Sequence, residues 1–148
     1  MYLLSSWTTL LIPSQLTRVE MANITGNPSD LMLKRLCILL ALKEAYLKAI
    51  GQPPGFDFTR LEFDVPNQRV LQDGHPLVGW EFRIFMSNIG VARRTVLKHE
   101  EYECVCAVYR GSQESTYIFH ETSAELASWV EYINLDQLMS VGSALAAS

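Results

Sequence analysis

The chain has 148 residues, a formal net charge of −4 and a pI near 5.3. One domain with a real core is expected at this length, and 49% apolar with 19% charged residues suits a soluble globular protein. The acidic balance offers no basic field for sequence-independent binding of nucleic acid, and no run of about 20 apolar residues is present to span a membrane.

Residues 1–12 are apolar and read as a strand or a poorly ordered lead-in. They lack the basic start and small-residue cleavage pattern of a signal peptide, so the cytoplasm is the expected location. A domain is expected over 13–135. Residues 13–26 suggest a short helix, with Thr17-Arg18-Val19-Glu20 spaced as a capping box. Asn27-Pro28-Ser29-Asp30 then offers a cap at Asn27, proline at the first helical position and an acid in the first turn.

The stretch Leu31 to Gly51 reads as one long helix, apolar at every position from Leu36 to Leu42 and therefore expected to be buried on most sides. Gly51 followed by Gln52-Pro53-Pro54-Gly55 ends it. At about 100° per residue, Glu44 and Lys48 share a face and Lys43 points elsewhere. Spacing leaves two readings of Glu44 and Lys48. They form a surface salt bridge, or a carboxylate for a divalent cation beside a lysine for a phosphate oxygen.

Beyond the proline loop, Leu61-Glu62-Phe63-Asp64-Val65 alternates as a half-buried strand, with Asp64 on the solvent side. Pro66-Asn67 turns the chain, Arg69–Leu71 is a short strand, and Asp73-Gly74 is a hairpin signal. Further strands are expected at Trp80–Phe85, with Trp80, Phe82 and Ile84 on one face, and at Glu103–Tyr109. Arg93, Arg94 and Lys98 form a basic cluster, read as a solvated face or as a dock for an acidic partner or a nucleotide phosphate. Thr116–Phe119 suggests a strand, and Thr122 with Glu125 a second capping box. Leu135–Met139 suggests a last turn, within a loose tail over 136–148. Cys37, Cys104 and Cys106 lack zinc spacing and read as core thiols. His75, His99 and His120 have no ligand partner at metal spacing. The sum is an α+β domain, one long buried helix packed on a small antiparallel sheet.

The run Ala41-Leu42-Lys43-Glu44-Ala45-Tyr46-Leu47-Lys48-Ala49-Ile50-Gly51 resembles the W-A-x-K-E-A-x-x-K-x-x-G signature of 4'-phosphopantetheinyl transferases, with Leu40 in place of the tryptophan. Leu16-Thr17-Arg18-Val19-Glu20-Met21 resembles the same family's F-[ST]-x-x-E-[WY] segment. The resemblance is to the type with two similar halves in one chain, like the aminoadipate-semialdehyde-dehydrogenase-activating enzymes, and covers roughly residues 16–109. It implies the C-terminal half of a pseudo-twofold fold.

The resemblance also implies magnesium-dependent transfer of phosphopantetheine from coenzyme A to a serine of an acyl or peptidyl carrier protein. Glu44 and Glu20 would lie at the metal. Lys48 would meet the phosphate or assist proton transfer. Lys43 would be structural or touch the far end of the coenzyme. No Gly-x-Asp segment, which holds the metal in that family, precedes the helix. Three readings follow: a transferase domain that is either part of a longer chain or completed by a second chain, an inactive remnant that still binds a carrier protein, or an unrelated interaction domain. The carrier, whether of lysine, fatty-acid or polyketide synthesis, stays open.

Overall fold

A computed structural model describes residues 15–52, 55–93, 96–131 and 133–146. The apolar lead-in at 1–12, the Pro53-Pro54 pair and Arg94 of the basic cluster lie outside them. The elements in order are α1 (Arg18–Ile24), α2 (Ser29–Ile50), β1 (Leu61–Asp64), β2 (Arg69–Gln72), β3 (His75–Pro76), β4 (Val78–Arg93), β5 (Val96–Glu114), β6 (Thr116–His120), α3 (Ser123–Ala127) and α4 (Leu135–Ala146). They make an α+β fold, with α2 packed against two three-stranded sheets ordered β1-β2-β3 and β5-β4-β6. Among the described residues no helix is long and apolar enough to cross a membrane.

Local chemistry explains where α1 and α2 begin and end. At the head of α1, Thr17 accepts from the Glu20 amide, and the Glu20 carboxylate accepts from the Thr17 amide, closing the capping box. Asn27 does not cap α2 as expected. Its side-chain amide donates back to the carbonyl of Ile24 at 2.9 Å and so finishes α1, leaving Pro28 to open α2 without a side-chain cap. Gly51 ends α2 in the left-handed conformation at φ 68, and its amide returns to the carbonyls of Leu47 and Lys48.

The helix α2 is buried along one side only. Leu36, Leu39, Leu42, Lys43 and Tyr46 are covered, while Leu33 and Cys37 are exposed and Leu40 is half-buried. The expectation of burial on most sides fails because the sheets cover one flank and leave the other partly open, where Glu103 of β5 reaches Lys34 at 3.4 Å. Cys37 is thus a surface thiol rather than a core one.

β4 is the central strand of the larger sheet. It pairs antiparallel with β5, and parallel with β6 in register Phe82↔Tyr117 and Ile84↔Phe119. The parallel partner departs from the all-antiparallel expectation. The β4–β5 hairpin also runs well beyond the buried part of its strands, its ladder continuing to Arg93↔Val96, where Val96 and Leu97 are exposed. A bulge at Val78/Trp80 bends β4 where Gly79 (φ 89) crosses Gly111; a Cβ there would collide with the Gly111 carbonyl oxygen.

Trp80, Phe82 and Ile84 do share the core face. Phe82 meets Phe63 edge-on at 5.1 Å, and Trp80 meets Tyr46 at 4.9 Å. Leu42, Leu61, Phe63 and Phe82 are fully covered, each contributing about 1.5–3 kcal/mol by leaving water. The turn at Asp73-Gly74 has φ 51 and 78 and links β2 to β3 as a two-residue hairpin.

The opposite face of β4 carries Glu81, Arg83 and Phe85; Trp129 covers Arg83 and Phe85, with His120 stacked on the indole at 5.8 Å. Residues 135–146, expected as a turn and a loose end, form the helix α4. All of it is solvent-exposed, and its leucines at 135, 138 and 145 are more than half accessible.

Candidate functional site at the end of the long helix

Two adjacent charges near the C-terminal end of α2 have opposite fates. Lys43 is 0% exposed, and its ammonium lies 2.8 Å from each of three acceptors: Glu20 Oε2, the Gln15 carbonyl and the Phe58 carbonyl. An ammonium has three protons, so every donor is matched. Burial pushes the Lys43 ammonium below its ordinary value, and the Glu20 carboxylate pulls it part of the way back.

Glu20, equally buried, is saturated in turn. Its Oε1 accepts from the Phe63 amide of β1 at 2.8 Å, and its Oε2 accepts from Thr17 and Lys43. This network ties α1, α2, the segment before α1 and the loop before β1 into one unit. Lys43 therefore serves the fold and has no donor left for a coenzyme. Glu20 keeps its capping role, inside the protein rather than at an open metal position.

Glu44 and Lys48 point outward. Their side chains are 60% and 80% exposed, and Lys48 Nζ sits 3.5 Å from Glu44 Oε2. By geometry this is the one-turn surface pair that spacing allowed, worth little to stability. It leaves both charges available to a ligand. The same side of α2 presents exposed Leu33 and Cys37 and half-buried Leu40, so the charged end continues a partly exposed apolar strip.

Glu20 and Glu44 do not come together as a pair of metal ligands, one being enclosed and the other at the surface. No group of three or more His, Cys, Asp or Glu side chains poised for a metal exists among the described residues. Magnesium wants an octahedron of oxygens and usually takes one or two carboxylates with phosphates and water. Glu44 alone does not make that site.

Asp64 also departs from its expected place on the solvent side. It is 6% exposed, and its carboxylate accepts from the amides of Asn23 at 3.1 Å and Asn67 at 2.8 Å. Asp73 is a turn residue that binds Arg60 through both oxygens. The pairing of Lys43 with Glu20 was missed from sequence because 23 residues separate them. One signal was present: a lysine beside the apolar run Leu36–Leu42 needs a partner if it is buried.

An α+β unit whose long helix ends in Lys-Glu-x-x-x-Lys, with the glutamate and second lysine open to solvent, fits half of a phosphopantetheinyl transferase. Over 75 residues the chain is 41% identical to the 4'-phosphopantetheinyl transferase pptA of Paxillus involutus, a match covering 47% of this chain and 28% of that protein. The chain is thus similar, over somewhat less than half of its length, to a protein of the 4'-phosphopantetheinyl transferase superfamily, and the matched stretch spans less than a third of that relative. No family model matches it, and no solved structure does.

Proposed function

We propose that this chain contributes the helix-borne charges to a transferase that moves 4'-phosphopantetheine from coenzyme A to a serine of an acyl or peptidyl carrier protein, in the cytoplasm. The likeness to pptA carries this reading. In the reaction the serine oxygen bonds to the β-phosphorus, the bond to the bridging oxygen breaks, and adenosine 3',5'-bisphosphate leaves. Lys48, a compact charge at the surface, meets the pyrophosphate oxygens or assists removal of the serine proton. Glu44 offers a single carboxylate toward a magnesium ion, whose other ligands have to come from outside the described residues.

The face that carries Glu44 also carries exposed Leu33 and Cys37 and half-buried Leu40, which supports a second polypeptide surface completing the site. Among the described residues no group of three or more potential metal-ligating side chains forms, and this favours one other reading, a carrier-binding remnant that performs no transfer. The test is to mix the chain with coenzyme A, magnesium and an apo-carrier protein and to weigh the carrier. Gain of the phosphopantetheine mass, lost in Glu44→Ala, is the expected result. Carrier binding without any mass gain would establish the remnant instead.

A further inference from the structure

On the side of α2 away from Glu44, a cleft of about 410 Å³ opens between α1, α2, β1 and the end of β6. Its volume lies in the range of small-molecule sites. Ile24, Ile38, Leu39, Phe63, Val65 and Phe119 line it. Arg35 is the one charged side chain in the lining. Its Nη1 donates to the Asn23 carbonyl, which fixes the guanidinium against the cleft wall and leaves its remaining donors unspent among the described residues.

Among the described residues two arginines are half-buried. Arg83 is paired with Glu81 at 2.6 Å, whereas no described carboxylate pairs with Arg35. Asp64, which shares Asn23 with it as a partner, is held by Asn23 and Asn67. A half-buried guanidinium without a counter-ion, at the edge of an apolar cleft, has the complementarity for a ligand with one anionic head and an apolar body.

We infer that this cleft binds an amphipathic monocarboxylate of the medium-chain fatty-acid class, its carboxylate on Arg35 and its chain against Ile38, Leu39 and Phe119. The site is separate from the transferase face and does not depend on that assignment.

Titrating decanoate into the full chain while following side-chain methyl resonances tests it, with decanol and acetate as controls. The expected result is saturable shifts at Ile24, Ile38, Leu39 and Val65. Decanol should bind about tenfold more weakly and acetate not measurably, since the head adds a charge-assisted pair and the tail the apolar contact. Arg35→Gln, which removes the charge and keeps a polar side chain, should bring decanoate down to the affinity of decanol. Equal decanoate binding by Arg35→Gln and the unaltered chain would overturn the inference. So would shifts confined to the exposed leucines 138 and 145 of α4, or no shift at all.

Discussion

Lys43 and Glu44 are neighbours in one helix, yet the first is sealed in the core and the second stands in water. Each has a partner of opposite charge, and only the surroundings differ. Lys43 and Glu20 have lost their hydration, and three hydrogen bonds to each replace it. Glu44 and Lys48 keep their water and gain little from each other. A buried pair of this kind is valuable to the fold only as a pair, since removing one partner strands the other. An exposed pair is cheap to separate, which is what a group that must change partners during a reaction requires.

The contrast is broken or sharpened most strongly at the buried pair. Lys43→Ala or Glu20→Ala should each lower the unfolding free energy in urea by about 3–5 kcal/mol, because an uncompensated charge is left inside. The double replacement Glu20→Leu with Lys43→Met should recover much of that loss, since well-packed apolar groups of similar volume substitute for buried ion pairs. Failure to recover would show that the capping and Phe63 contacts of Glu20 matter more than its charge.

Next in size is Tyr46→Phe, where the phenol donates to Gln72 Oε1 at 2.7 Å; a loss of about 1 kcal/mol is expected in the same urea experiment. A smaller effect should appear in acid at Glu81. Its carboxyl is held below the usual carboxylate range, first by the hydrogen bond from Arg110 and also by Arg83, against the opposing effect of burial. A depressed carboxyl contributes stability that is complete above its unfolded pKa and disappears as pH falls through the folded one. Thermal melts of Glu81→Gln should therefore differ from the unaltered chain at neutral pH and converge with it in acid. The smallest change belongs to the outer pair: Lys48→Ala should alter stability by less than about 0.5 kcal/mol.

Much of the fold was legible because local rules act over a few residues. Both capping boxes, the glycine stop at Gly51, the Asp73-Gly74 hairpin and the shared face of Trp80, Phe82 and Ile84 all follow from spacing. What spacing could not supply is which flank of α2 meets the sheets. Seven consecutive apolar residues carry no directional signal, so Cys37 and Leu40 read as core when the packing leaves them at or near the surface. Asn27 had the right side chain for a cap and used it on the preceding helix. The helix α4 was hidden by small residues that suggest a loose end, though the segment is helical without packing on the core. At the candidate site, the residue types were visible in the chain, whereas their division into inside and outside needed the tertiary contacts of Glu20 with Phe63 and Lys43.

Amide NMR during titration of coenzyme A into the folded chain, with magnesium present, tests the division of labour along α2 most directly. The largest shifts are expected on Leu40, Glu44 and Lys48, with Glu20 and Lys43 nearly unmoved. Shifts centred on Glu20 and Lys43, or a coenzyme that leaves the outer face of α2 silent, would contradict it.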